Sequence, residues 1–236
     1  MEGKKATPFT SSMSRLERAA ALGYLPVHIW LLPLLLREYY RSGQIGDVGV
    51  NLVCYGVGTA FLLFALWRFF RREFDALCDF GPGVLIEIAK SYGFLLLCNL
   101  GAALLLLLLT GEMDNPNNEA VFSLAGEDLG KTTAVAVFLA PIAEEAMFRG
   151  GIFGLLRRYN RIAAYAASIL LFALYHIWSF ALRDPTAWLY LLQYLPAGFL
   201  LARIYEKTNT IWASIFLHMT VNGVSMMAIS ALGKLL

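Results

Sequence analysis

The strongest constraint in this chain is a succession of apolar runs, each close to the ~20 residues an α-helix needs to cross ~30 Å of hydrocarbon. They fall at about 19–36, 49–70, 92–110, 132–156, 162–182, 187–203 and 210–232. Inside a bilayer every backbone N–H and C=O must be satisfied within the protein, so runs of this length read as spanning helices. Composition agrees: 58% of residues are hydrophobic, 15% are charged, and the mean hydropathy is +0.61. The expected fold is all-α, a polytopic membrane helix bundle of about seven to eight transmembrane helices forming a single integral domain over 1–236. The eighth candidate, 74–90 (FDALCDFGPGVLIEIAK), is too short and too charged to span and is expected at the interface as an amphipathic segment or re-entrant turn. GEMDNPNNEA, 111–120, is expected to be a loop. Residues 6–18 are polar, so the first run reads as a retained helix rather than a cleaved signal peptide.

Orientation follows from lysine and arginine. With the N-terminus cytoplasmic, that side collects Lys4, Lys5, Arg15, Arg18, Arg68, Arg71, Arg72, Lys90, Arg157, Arg158, Arg161, Arg203 and Lys207, and the other side Arg37, Arg41, Lys131, Arg183 and Lys234. The split is 13 to 5. The protein is therefore expected in a membrane with its N-terminus inside, in the plasma membrane if the source is prokaryotic. The segment 111–130 then faces outward, carrying Glu112, Asp114, Glu119, Glu127 and Asp128. It reads as a solvated loop, or more sharply as a collar for a basic substrate segment. A net charge of +2 gives no reason to expect a nucleic-acid partner. Cys54, Cys78 and Cys98 have no metal-binding spacing and are expected to be buried small hydrophobes.

Against this background APIAEEAMFRGG, 140–151, stands out, since a charge at the bilayer centre costs roughly 2.5–3.5 kcal/mol even on insertion scales. Glu145 and Arg149 are four apart and share a helix face, so they can pair. Glu144 is rotated about 100° from that face and needs water or a polar partner from another helix. His176 and His218 lie in later runs, each with a residue one turn away on its own face: Phe172 before the first, Asn222 after the second. Counting ~1.5 Å per residue from the cytoplasmic ends puts Glu144 about 20 Å deep, His176 about 22 Å and His218 about 15 Å. Three polar residues on three helices thus share one layer, and a polar catalytic cavity near the midplane is expected. His28 has no such company and reads as an interhelical hydrogen-bonder. Gly150, Gly151 and Gly154 read as sites of close helix packing. The tryptophans mostly fall near span ends, as in an aromatic belt.

EEAMFR, FALYH and HMTVN, in that order on successive hydrophobic helices, resemble the EExxxR, FxxxH and HxxxN motifs of the CAAX-protease and bacteriocin-processing intramembrane proteases, the type II CAAX prenyl endopeptidase group. The resemblance covers about 140–222, within a motif-bearing core of about 132–232. It implies that Glu144 and His176 activate a water while His218 and Asn222 stabilise an oxyanion, with Glu145, Arg149 and Phe172 in support. These roles suit the chemistry, because a carboxylate withdrawn from water is a stronger base and imidazole and amide N–H groups are suitable oxyanion donors. Arg149 could also orient Glu144. The implied partner is a membrane-associated protein or peptide. Family members are described both as metalloproteases and as glutamate-type proteases. If a divalent metal such as zinc is bound, Glu144, His176 and His218 would hold it. A metal-independent glutamate mechanism is the reading preferred, because Asn222 beside His218 suits an oxyanion hole better than a ligand shell. Two other classes stand beside the protease: a catalytically silent binding or immunity protein, and a proton-coupled transporter, which lacks here the paired broken helices of its repeats.

Overall fold

The computed structural model describes residues 9–111 and 115–232, with no strand among them. Lys4, Lys5, Lys234, Glu112 and Asp114 lie outside the described residues. Helix α1, Arg15–Arg41, opens on Ser14, whose hydroxyl accepts from the Glu17 amide while the Glu17 carboxylate takes the Ser14 amide. Then come α2, Asp47–Ala65; α3, Trp67–Phe80; α4, Gly83–Thr110; α5, Pro116–Glu127; and α6, an unbroken helical path over residues 129–156. Helices α7, Arg161–Ala181, α8, Leu191–Thr208, and α9, Ile211–Leu232, complete the bundle. A 3₁₀ turn, Pro185–Tyr190, leads into α8.

Among the described residues six helices are long and apolar enough to cross a membrane: α1, α2, α4, α7, α8 together with its 3₁₀ turn, and α9. The sequence expectation is corrected at two places. The stretch 74–90 is not a separate re-entrant piece, because Gly81 at φ 67° ends α3 and the chain re-enters a helix at Gly83, so 83–90 is the first part of the 28-residue α4. Its charges are tolerated because Glu87 accepts from Lys207 of α8 at 2.6 Å. The expected loop at 111–120 becomes helix from Pro116: the Asn115 side chain caps the Asn118 amide, and proline suits the first helical position. Cys54 is buried as expected, whereas Cys78 is exposed on α3.

Close approaches set the packing around α6. A side chain at Gly150 would collide with Met13, and one at Gly151 would press on Leu22, both N-terminal contacts. A Cβ at Gly198 would lie 3.2 Å from the Ile169 backbone, so α7 and α8 cross almost backbone to backbone. Thr59 of α2 donates to the Leu139 carbonyl at 2.8 Å and ties α2 to α6.

Amphipathic α3 is held by a buried carboxylate. Glu73 accepts from Ser11 Oγ at 2.5 Å and from the Ile211 amide at 2.8 Å, so one side chain joins the N-terminal segment, α3 and the start of α9. Burial pushes the Glu73 carboxyl up to about 7, against the pull of those hydrogen bonds and of Arg72. A carboxyl that keeps its proton more tightly folded than unfolded stabilises the fold at low pH, and that contribution is lost as pH rises through the folded-state value. The melting temperature in detergent is therefore expected to fall between about pH 4.5 and pH 7, with Glu73→Gln flattening the slope. An unchanged slope in that variant would remove Glu73 as the cause.

Candidate active site

Helix α6 changes pitch around the glutamates. It runs as π-helix over Ala134–Leu139, as α-helix over Ala140–Glu145, and as π-helix again over Ala146–Phe153. In the first π segment the Ala140 amide bonds the Val135 carbonyl, and the following residue is Pro141, which has no N–H. The Ala136 carbonyl is thereby left without a backbone donor. Asn222 of α9 supplies one, its Nδ2 donating at 2.7 Å. The proline on α6 and the asparagine on α9 are thus one device, which fixes the Asn222 amide and leaves its second N–H.

Glu145 and Arg149 are fully buried and bonded at 3.2 Å. The guanidinium also donates to the Gly198 carbonyl at 3.2 Å and lies 4.3 Å from the centre of the Phe172 ring. Glu145 accepts further from Ser214 Oγ at 2.6 Å and from His218 Nδ1 at 2.9 Å. The carboxylate is therefore shared among an arginine, a serine and a histidine on two helices. Arg149 directs its bonds to Glu145 and Gly198, so the alternative in which it orients Glu144 is not the arrangement found.

Glu144 faces a different set of groups. Its Oε1 accepts from Tyr55 of α2 at 3.0 Å, and Tyr55 is in turn bonded to Tyr175 at 2.8 Å. Its Oε2 is buried without a hydrogen-bond partner. Two ring nitrogens face that oxygen: His176 Nε2 at 3.7 Å and His218 Nε2 at 3.9 Å. Both are too long for direct hydrogen bonds, and both are within reach of a single bridging water. His176 Nδ1 meets the Phe172 carbonyl at 2.8 Å. A carbonyl can only accept, so Nδ1 carries the proton and Nε2 offers its lone pair toward Glu144. His218 gives its Nδ1–H to Glu145 by the same logic. The neutral N–H expected at the oxyanion site is therefore turned away, and Nε2 becomes a donor only once it has taken up a proton.

Glu144, His176, His218 and Asn222 line one cavity of about 1180 Å³, together with Tyr55, Tyr175, Tyr194 and His28. This exceeds the ~300–1,000 Å³ of a small-molecule site. Tyr194 stacks on His176, with ring centres 4.6 Å apart. His28, expected to bond between helices, instead contacts Tyr24 of its own helix at 3.3 Å and packs against Tyr55 in the cavity wall. Sequence reasoning missed Tyr55, Tyr175, Tyr194 and Ser214, none of which stands in a charged or motif-like context. Among the described residues no three His, Cys, Asp or Glu side chains are arranged to hold a metal ion. The Glu144 to histidine separations are also wider than the ~3.3 Å between donors of a tetrahedral zinc shell with ~2.0–2.1 Å bonds.

The family model described as Type II CAAX prenyl endopeptidase Rce1-like matches residues 129–224, the segment holding all three motifs. The match supports a CAAX-type intramembrane endopeptidase in general terms, and with it a membrane-associated protein as the class of substrate. No curated protein and no solved structure matches the chain.

Removing either partner of a buried ion pair typically costs ~3–5 kcal/mol, because the other charge is stranded. Glu145→Gln and Arg149→Gln are each expected to lower the melting temperature, and the double variant should recover part of the loss. Coupling in that double-mutant cycle is the measurement. Additive losses would show that the two do not act as a pair.

Proposed function

We propose that the chain hydrolyses a peptide bond within a membrane-associated protein or peptide, such as a CAAX-type prenylated C-terminus or a leader peptide, by a glutamate mechanism. Glu144 and His176 activate the water, and His218 with Asn222 receive the oxyanion. The observation that carries this reading is the unpartnered Oε2 of Glu144, faced by imidazole nitrogens from two other helices inside a cavity. A water held between Glu144 Oε2 and His176 Nε2 meets two acceptors, so both its protons are drawn away from the lone pair that attacks the scissile carbonyl. Before the attack His218 takes up a proton at Nε2 from solvent water in the cavity; as the C–O bond forms, one water proton passes to Glu144, and the carbonyl oxygen becomes an oxyanion facing the remaining N–H of Asn222 and the protonated His218 Nε2. The buried Glu145 carboxylate at Nδ1 balances the charge of His218 in that state. Collapse of the intermediate breaks the C–N bond, and the proton goes to the leaving amine. Tyr55 holds Oε1 and so turns Oε2 toward the water.

Glu144→Gln and His176→Ala are expected to lower cleavage of a peptide substrate by at least ~10²-fold while leaving the protein folded, since a general base contributes about that much. Retention of more than half the activity by either would remove it from the assignment. Tyr55→Phe removes a hydrogen bond to a charged group, worth ~1.5–3 kcal/mol, and should lower kcat about tenfold or more with KM little changed. The charge split further supports a cytoplasmic N-terminus, in the plasma membrane if the source is prokaryotic. Cysteines introduced beside Arg157 should then be labelled only from the cytoplasm, and ones beside Asn117 only from outside; the reverse pattern would invert the topology.

A further inference from the structure

Several cations at the end of the bundle where α1 begins and α6 ends are matched by carboxylates. Arg157 and Arg161 share Glu206, and Arg72 reaches Glu17. Arg15, Arg18 and Arg158 stand close by and form no ion pair among the described residues. Arg18 of α1 and Arg158, just beyond α6, instead donate to one and the same oxygen, the Met13 carbonyl, at 3.0 and 3.1 Å. Arg15 lies three residues before Arg18 on the same helix face and makes no side-chain hydrogen bond among the described residues. Both Arg15 and Arg158 act on Arg18 electrostatically, so the three form one cluster. Arg18 Nε is buried with no partner, and the guanidinium keeps more donors than the protein uses. Two exposed apolar side chains flank the cations, Leu16 at 84% and Tyr159 at 81% exposure.

Two guanidiniums bound to one carbonyl hold like charges next to each other, and a neutral oxygen offsets neither. A phosphate would offset both, since its oxygens match the planar fork of arginine and accept several charge-assisted bonds at once. The position argues for a phosphate carried by a lipid. Candidate spans α1 and α7 both start here, at Arg15 and Arg161, so the cluster sits at the level where a bilayer presents its headgroups. Leu16 and Tyr159 suit the acyl and glycerol region beneath those headgroups. We propose that Arg15, Arg18 and Arg158 form a binding site for the phosphate of an anionic phospholipid in the leaflet on the N-terminal side. Met13, whose carbonyl the two guanidiniums share, is 2% exposed and seated against Gly150, the residue after Arg149. The lipid therefore fastens the N-terminal segment to the helix that carries Glu144 and Glu145, and its binding stabilises the fold.

The test measures the melting temperature of the full chain in a nonionic detergent, titrated with phosphatidylglycerol, with phosphatidylcholine of the same acyl chains, or with inorganic phosphate. Native mass spectrometry counts the lipids retained, a readout independent of stability. Phosphatidylglycerol is expected to raise the melting temperature to a plateau, and the other two to leave it nearly unchanged. Arg15→Gln removes a side chain that the fold does not use, so it should keep the lipid-free melting temperature. It should weaken phosphatidylglycerol binding about fivefold, or ~1 kcal/mol. Arg18→Gln combined with Arg158→Gln should abolish retention of the lipid. Lys90→Gln removes the same charge from α4, outside the cluster, and should bind as the wild type does. An equal rise with phosphatidylcholine would reduce the effect to general solvation by lipid, and an equal rise with inorganic phosphate would make the site one for free anions. Either result overturns the inference, as does a Lys90→Gln loss as large as that of Arg15→Gln.

Discussion

The rest of the site hangs on one ion pair sealed inside the bundle. Glu145 and Arg149 are both without solvent exposure, and neither charge could stay in hydrocarbon alone. Each is satisfied by other helices. Arg149 reaches the α8 backbone at Gly198 and the face of Phe172 on α7, while Glu145 takes Ser214 and His218 on α9. Three helices are thereby registered against α6 by a single pair. Phe172 acts twice, since its ring covers the guanidinium and its carbonyl fixes the His176 tautomer. The residues four apart in FALYH and EEAMFR meet because α7 and α6 present them to one another.

Reaching the Gly198 carbonyl requires that α8 come close, and the lack of a side chain at that position permits it. The pitch changes in α6 serve the same end. A π turn shifts side chains around the helix relative to α geometry and recurs at functional sites. Here the first one, ending at Pro141, frees the Ala136 carbonyl that anchors Asn222, and the second begins directly after Glu145.

How much of this was legible in the sequence depends on whether a relation was local. The Glu145–Arg149 pair and the Phe172–His176 contact are one helical turn long, and 3.6-residue periodicity is enough to find them. The gathering of Glu144, His176 and His218 required depth counting, which works because a bilayer gives helices a common ruler. Tyr55 could not be found that way. It comes from α2, 89 residues before Glu144, in an apolar run with no motif around it. Ser214 was equally silent, since a serine in an apolar helix has no distinguishing neighbour. The helix at Pro116–Glu127 was legible, because Asn115 followed by Pro116 is a capping signal, but the polar composition of 111–120 outweighed it. The continuity of α4 through Glu87 and Lys90 was hidden because the compensating Lys207 lies 120 residues away.

Two adjacent glutamates in one helix end in opposite situations, and the helix itself brings this about. A rotation of about 100° per residue separates their faces, so no single set of partners can serve both. Glu145 points where Arg149, one turn further along α6, supplies a cation and α9 supplies a hydroxyl and an imidazole, and nearly all its acceptor capacity is used. Glu144 points toward α2, α7 and α9, where one tyrosine engages Oε1 and Oε2 is left facing two histidines across the cavity. The charge that the fold needs and the charge that the proposed chemistry needs are thus consecutive residues, divided by helical geometry alone.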